Sequence, residues 1–184
     1  MKITKEFLQK KQPCSSSYRW VCNNGLIGLE DVEFINKLLE NYRFSDANWL
    51  ITRILDNNKN VQYAIYCAEQ VIDIFEKEYP EDNRPRKAIE ATKNYLITHV
   101  VPDITIASDA DSIPYNAIYA AARAAAYATY AAINIDTNIN ADYTFYSCDN
   151  AMTAIGDDSI VKQKIINFGI KLILEHLNSN EEIK

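Results

Sequence analysis

The feature that most constrains the fold of this chain is a run of apolar residues between positions 61 and 79. Its members are spaced alternately four and three residues apart, so an α-helix would place them on one face that must be buried. Pro80 ends that helix, and a second apolar face follows between residues 88 and 96. The sequence therefore predicts an antiparallel helical hairpin over residues 61–98 at the centre of the fold. The run consists of Val61, Ile65, Ala68, Ile72, Phe75 and Tyr79.

Charged residues line one edge of this predicted hairpin and its turn. Three carboxylates of the first helix are spaced four and three residues apart, so they lie side by side at the border of the buried face. Two arginines and further carboxylates come from the turn and the second helix, where Asp82 or Asn83 is expected to cap the helix. We expect a polar cluster that either stabilises the hairpin or contributes to binding. Its predicted members are Glu69, Asp73, Glu76, Asp82, Arg84, Arg86 and Glu90.

The remainder of the chain also has helical patterning. Apolar residues recur with helical spacing and no segment has a convincing strand pattern, so the 184 residues predict an all-α bundle of about eight helices. Residues 1–13 are expected to be mobile. We expect an N-terminal helical layer, residues 1–59, packed on a helical domain of residues 60–184. The polar turn at residues 56–60 is too short to separate independent domains, so the two should form one compact unit.

An alanine-rich segment predicts a helix over residues 114–133, whose small side chains permit close packing. One face of this helix carries Arg123 with Tyr119 and Tyr127 one turn to either side, and Tyr130 extends the aromatic face. An isolated buried charge is too costly to keep, so we expect the tyrosines to cover an ion pair of Arg123. We expect this pair to stabilise the scaffold rather than to bind a ligand. The candidate partners are the hairpin carboxylates Glu69, Asp73, Glu76 and Glu90.

The apparent motifs for catalysis and metal binding are incomplete. The serines Ser15–Ser17 lack a G-x-S-x-G turn and are better explained as helix caps. An aspartate- and asparagine-rich segment imitates a calcium loop, but Ala141 stands where glycine is needed and Ser147 where a bidentate glutamate is needed. Asp109 and Asp111 are expected to precede a helix and to interact with its N-terminal dipole. The sequence therefore predicts no catalytic residue, no metal and no cofactor.

Charge and cysteine pattern indicate where the protein acts. The net charge is −6 although residues 1–22 are basic, and this acidic body argues against direct binding to nucleic acid. The first residues lack the apolar core of a signal peptide, and no apolar run approaches the ~20 residues of a membrane span. The four cysteines show no C-x-x-C pairing, which favours reduced, mostly buried thiols. We expect a cytoplasmic protein that does not bind membranes.

The hairpin also carries a string of residues that indicates a family. Cys67-Ala68-Glu69 and Phe75-Glu76 are followed by PEDNRPRKAIEA at residues 80–91 and then by the alanine-rich helix with its central Arg123. Over about residues 60–133 the chain resembles the helical immunity proteins of bacterial polymorphic toxin systems. The resemblance implies a non-enzymatic protein that neutralises a cognate toxin by direct protein–protein binding. An acidic, tyrosine-rich body would suit a basic partner such as a nuclease.

Two other functions are compatible with the same residues. An inhibitor of a host defence nuclease, carried by a phage or mobile element in the manner of anti-CRISPR proteins, needs the same surface properties. Neighbouring genes would distinguish it from an immunity protein. Alternatively, the hairpin carboxylates form a polar pocket with Arg84, Arg86 and Arg123 for a small ligand or a hydrolytic reaction. Turnover of a ligand would favour this pocket, whereas a stoichiometric protein partner would favour binding.

Overall fold

The structure is a computed structural model that describes the backbone of residues 1–112 and 117–181, and the side chains of residues 1–112 and 119–175. Within this part of the chain the regular structure is helical, apart from an isolated bridge between Lys2 and Glu30. The prediction of an all-α fold is confirmed. The described residues form eleven helices, whereas about eight were predicted. Their bounds are α1 Lys5–Lys11, α2 Ser15–Asn23, α3 Asp31–Glu40, α4 Phe44–Ile54, α5 Asn57–Glu69, α6 Ile72–Glu78, α7 Arg84–Thr98, α8 Ile104–Asp111, α9 Ala117–Ile133, α10 Thr137–Ile155 and α11 Ser159–Glu181.

The alanine-rich helix α9 is surrounded by five others, α5, α6, α7, α8 and α10. Its alanines between residues 120 and 132 are buried, and their small side chains allow neighbouring helices to approach closely. The predicted start of this helix, residues 114–116, lies outside the described residues. Within the helix, the hydroxyl of Thr129 lies 2.9 Å from that of Thr92, and this hydrogen bond joins α9 to α7.

The predicted hairpin forms, but its first helix is broken. α5 ends at Glu69 and α6 begins at Ile72, because Val71 leaves the helical region with φ −129° and ψ −11°. The apolar stripe nevertheless stays buried from Val61 to Phe75 on both sides of the break. Asn83 is the N-cap residue of α7 and makes no side-chain cap hydrogen bond, but Asp82, one position earlier, accepts a hydrogen bond from the backbone N–H of Arg84 at 3.2 Å.

The expectation that residues 1–13 are mobile is wrong. Ile3 and Leu8 are buried, and the backbone N–H of Ile3 donates to the oxygen of Leu29 at 2.9 Å. Three apolar side chains among lysines and glutamine are enough to hold this segment, because the lysines can stay in water while Ile3, Phe7 and Leu8 pack inward. The charged composition concealed this short apolar pattern. The division between residues 1–59 and 60–184 remains a prediction.

The expectation of reduced, mostly buried cysteines is also wrong. Cys67 of α5 and Cys148 of α10 form a disulfide with Cα atoms 5.0 Å apart, while Cys14 and Cys22 are exposed. The bonded pair is separated by 81 positions in the chain. Spacing alone gave no sign of the pairing, because the two residues meet only when α10 packs on α5.

Helix α11 crosses α4 and α5 at a position where only glycine fits without rearrangement. A Cβ atom added to Gly169 would lie 2.8 Å from two side-chain carbons of Ile51 and 3.1 Å from the ring of Tyr63. Both neighbours are fully buried, so neither can easily move aside. Gly169 therefore sets how closely α11 approaches the N-terminal helices. None of the described helices is long and apolar enough to cross a membrane.

Candidate binding surface

The charged residues predicted on the hairpin divide into three groups of ion pairs. In the first, the guanidinium of Arg86 in α7 donates to both carboxylate oxygens of Glu76 in α6, at 2.7 and 2.5 Å. Asp73 lies 3.5 Å from the same guanidinium. The hydrogen bond with Arg86 lowers the pKa of Glu76, and the one with Glu76 raises the pKa of Arg86. The group joins the two arms of the hairpin at its surface.

The second group joins the hairpin turn to α8. The guanidinium of Arg84 donates to a carboxylate oxygen of Asp82 at 2.6 Å and to the hydroxyl of Ser112 at 3.1 Å. It also donates to the backbone oxygen of Asp109 at 3.3 Å. The hydrogen bond with Arg84 lowers the pKa of Asp82. Arg84 therefore orders the C-terminal end of α8 as well as its own turn.

The remaining hairpin carboxylates are peripheral. Glu69, at the end of α5, forms an ion pair with Lys93 of α7. Glu90 is exposed, and its charge contributes, after those of Glu76 and Asp73, to the raised pKa of Arg86. The predicted residues therefore form separate ion pairs along the hairpin, and Glu90 contributes only its charge. The hairpin turn, residues 78–84, lines an open depression and encloses no cavity.

Arg123 pairs with a different carboxylate from those predicted. Its Nε donates to a carboxylate oxygen of Asp111 in α8 at 3.0 Å, and its terminal nitrogen donates to the hydroxyl of Tyr127 at 2.7 Å. The Arg123 side chain is 17% exposed, and its guanidinium lies 5.3 Å from the centre of the Tyr127 ring. Enclosure and a tyrosine contact were predicted correctly, but the proposed hairpin partner was wrong.

The reason for that error is the position of Asp111. It was expected to precede a helix, whereas it is the last residue of α8, which Asp103 caps by accepting from the N–H of Thr105 at 2.9 Å. A carboxylate at a helix C-terminus gains nothing from the helix dipole, and Arg123 supplies the compensating charge instead. Recognising the 104–111 segment as helical would have corrected the position of Asp111, but the pairing itself depends on how α8 packs on α9.

The predicted tyrosines fall into two separate aromatic groups. Tyr119 meets Tyr79 of α6, with ring centres 5.6 Å apart and hydroxyl oxygens 2.8 Å apart. Tyr127 and Tyr130 instead meet α10, where the nearest ring centres lie 5.6 and 5.2 Å away. Burial raises the pKa of Tyr130. We call the second group the tyrosine face, which consists of Tyr127, Tyr130, Tyr143 and Tyr146.

The contribution of α10 to this face was not predicted. Tyr143 and Tyr146 are three positions apart on one side of α10, together with Ile139 and Asp142, and that side faces outward. Tyr146 is 47% exposed and Ile139 is 44% exposed. Their three- and four-residue spacing was a usable signal, which the apolar stripe on the opposite side of the helix obscured.

A second exposed apolar segment also escaped sequence analysis. Four large aliphatic residues between α7 and the start of α8 are mainly in solvent: Ile97, Val100, Val101 and Ile104. Contiguous exposed apolar residues of this kind are uncommon on a protein that acts alone. The described residues contain no group of histidine, cysteine and acidic side chains that could hold a metal ion. The surface therefore offers apolar and aromatic contacts beside neutralised charges.

Comparison with known protein families supports the resemblance seen in the sequence. Residues 52–138 match the model of the family described as Imm-5 like putative immunity protein. The matched segment contains the hairpin, α8 and α9, and therefore the ion pairs of Arg84, Arg86 and Arg123 and half of the tyrosine face. Neither the curated proteins nor the solved structures contain a match to this chain. Over residues 52–138, just under half of the chain, the protein is similar to the Imm-5 like putative immunity proteins.

Proposed function

We propose that this protein protects the cell that makes it by binding a cognate toxin directly, without chemical turnover. The observation that carries the proposal is the family match over residues 52–138. Immunity of this kind requires a stable scaffold and a surface complementary to one partner. It requires no catalytic group, in keeping with the hairpin charges, which satisfy one another rather than project into a pocket.

We assign the partner contact to the tyrosine face and the outward side of α10. Tyrosines supply large, rigid contact areas with a polar tip, and they are enriched among residues that dominate binding energy. Tyr146 and Ile139 are already exposed there, whereas the carboxylate of Asp142 between them forms an ion pair with Arg53 of α4. A partner with apolar and aromatic residues at its contact surface would complement this arrangement.

The overall charge favours a basic partner. The chain carries −6, and residues 1–22 contain five Lys or Arg and one Glu, so the remainder carries −10. Such a field accelerates encounter with a basic protein at low ionic strength and becomes less effective as salt screens it. A cationic effector such as a nuclease is therefore the partner class that the charge favours.

The test is neutralisation of the effector encoded beside this gene. The effector should arrest growth when expressed alone, and co-expression of the wild-type protein should restore growth. The purified proteins should form a stoichiometric complex by size-exclusion chromatography and calorimetry. An effector that is toxic in both cases, with no complex, would refute the proposal. If the gene lies among phage genes and the protein instead copurifies with a host defence nuclease, the result would support the alternative that the protein inhibits that nuclease.

The surface assignment is tested by Tyr146→Ala. This change removes an exposed ring from the tyrosine face and should weaken the complex at least tenfold, as expected for a central aromatic contact. Ile160→Ala is the matched control, since Ile160 is an exposed apolar residue at the start of α11 and outside the face. Equal affinities of the two variants would place the contact elsewhere on the protein.

A further inference from the structure

A cavity of about 250 Å³ lies in the N-terminal part of the fold, among α2, α3, α4 and α10. All its lining residues lie outside the segment that matches the immunity family, and none belongs to the tyrosine face, so the proposed toxin-binding role does not account for it. Its walls are mainly apolar and include three aromatic side chains from different helices. The principal lining residues are Val21, Phe34, Leu38, Trp49, Leu50 and Phe145.

One side of the cavity is polar but electrically neutralised. The hydroxyl of Ser17 donates to a carboxylate oxygen of Asp46 at 2.7 Å, and Arg43 forms an ion pair with the same carboxylate. The guanidinium of Arg43 in turn lies 4.4 Å from the centre of the Trp20 ring. Because Asp46 is already paired, a charged ligand would find no free opposite charge in this network. The cavity therefore favours an uncharged molecule.

The hydroxyl of Tyr18, which also lines the cavity, is buried and has no hydrogen-bond partner among the described residues. Buried hydroxyls are nearly always hydrogen-bonded, because leaving one unpaired forfeits its interaction with water. A ligand with one hydrogen-bonding group would satisfy it. The size is also informative, since a dry apolar cavity of about 150 Å³ already binds benzene.

We propose that this cavity binds a neutral aromatic molecule of one or two rings that carries a single hydrogen-bonding group. The apolar walls take the rings, and Tyr18 takes the polar group. Cys14 and Pro13 also line the cavity, and Cys14 is exposed to solvent, which places it at the mouth. A ligand in the cavity therefore passes close to the Cys14 thiol as it enters.

Indole is a suitable probe because it has two rings, no charge and one N–H donor. Titration of the full-length protein with indole should show saturable binding of one molecule. Tyr18→Phe should weaken that binding about tenfold, while binding of naphthalene, which has no hydrogen-bonding group, should change less than twofold. Non-saturable binding of indole to the wild type, or an equal effect on both probes, would overturn the proposal.

Cys14 provides an independent readout of position. Hydrogen bonds with the hydroxyls of Ser16 and Ser17 lower the pKa of Cys14 to about 7, so the thiol should react with iodoacetamide at neutral pH. Saturating indole should slow alkylation of Cys14 at least fivefold and leave that of Cys22, at the far end of α2, unchanged. Equal protection of both cysteines, or of neither, would show that indole binds elsewhere.

A cavity-filling variant completes the test. Val21→Phe adds a ring inside the cavity and should reduce indole affinity at least tenfold. A circular dichroism melt shows whether the Val21→Phe protein still folds. If it does not fold, the Tyr18→Phe variant still tests the proposal. Indole binding that survives in a folded Val21→Phe protein would overturn the assignment.

Discussion

The hairpin turn and the surroundings of α9 use similar side chains at different depths. At the turn, Arg86 and Glu76 form a two-bond pair, yet both side chains are about one third exposed. Beside α9, Arg123 is half as exposed as Arg86 and shares its charge with Asp111 and the Tyr127 hydroxyl. When the first pair is broken, water can solvate the separated charges, but water has limited access to the charges of the second pair. The arginine–carboxylate pair beside α9 should therefore contribute more to the free energy of unfolding than the pair at the hairpin turn.

Around α9 the polar groups are also connected to covalent and backbone constraints. The disulfide between Cys67 and Cys148 joins two of the helices that pack on α9. Thr92 of α7 and Thr129 of α9 are completely buried, with hydroxyl oxygens 2.9 Å apart. The hairpin turn has no comparable constraint among the described residues. The comparison predicts a graded series of effects, from the disulfide to the surface pair.

The largest effect is expected for Cys67→Ala combined with Cys148→Ala. The disulfide closes a loop of 81 residues, and losing it should lower the free energy of unfolding by about 4 kcal/mol, because the unfolded chain regains its freedom. Urea melts of the oxidised wild type and the double variant measure this difference. Cys14→Ala with Cys22→Ala is the control and should change little. Equal midpoints for all three proteins would contradict a stabilising disulfide.

A smaller loss is expected for Arg123→Ala. Removing the guanidinium leaves Asp111 without its cation in a partly covered position, which should cost about 2 kcal/mol, between the values for exposed and buried pairs. A double-mutant cycle with Asp111→Asn isolates the pair, and its coupling should account for about half of the loss. Additive effects of the two changes would show that Arg123 acts mainly through Tyr127.

Thr129→Val tests the buried hydroxyl pair between α7 and α9. The valine has nearly the same shape but cannot hydrogen-bond, so the Thr92 hydroxyl loses one partner. Thr92 also donates to the backbone oxygen of Ala88 at 2.8 Å, which limits the expected cost to about 1 kcal/mol. Thr98→Val is the control, because its hydroxyl bonds locally at an exposed position. If Thr98→Val lowers the free energy of unfolding as much as Thr129→Val does, burial of the hydroxyl does not explain the loss.

The smallest effect is expected at the hairpin turn. Arg86→Ala should lower the free energy of unfolding by less than about 1 kcal/mol at pH 7, since solvent screens the exposed pair. Arg86 lowers the pKa of Glu76, so the pair contributes fully above the unfolded pKa of about 4.3 and less as the pH falls through the folded pKa. The difference between the wild type and the variant should therefore shrink below about pH 4.

That pH dependence is measured by urea melts at several pH values between 3 and 7. Arg84→Ala is a second test of the same principle, because Arg84 lowers the pKa of Asp82. A loss for Arg86→Ala that equals the loss for Arg123→Ala would remove the distinction between the two regions. A difference that persists unchanged to pH 3 would show that Glu76 is not the group responsible.

Much of the fold was predictable from local patterns. The apolar stripe from Val61 to Phe75 is buried as expected, α6 ends just before Pro80, and Asp82 bonds the first N–H of α7. Each of these features depends on residues within a few positions of one another. The family string at residues 80–91 was equally visible in the chain, and it lies within the matched segment.

The candidate site was predictable only in part, for a reason that Arg123 illustrates. Its position among tyrosines indicated enclosure, but the choice among carboxylates required the path of α8, whose weak apolar pattern gave little warning. Tyr143 and Tyr146 were missed because packing against α9 decides which side of α10 faces the solvent. Residues 1–13 looked mobile because Ile3, Phe7 and Leu8 gain from burial only after the rest of the core provides a surface.

The sequence by itself determined the all-helical class, the hairpin and its charged edge, because helix periodicity, caps and breakers act over a few residues. The tertiary structure decided the Cys67–Cys148 bond, the partner of Arg123, the close approach at Gly169 and the cavity beside Tyr18. Each of these depends on distances between segments far apart in the chain. These distances are set by how whole helices pack against one another, and no local sequence pattern specifies that packing.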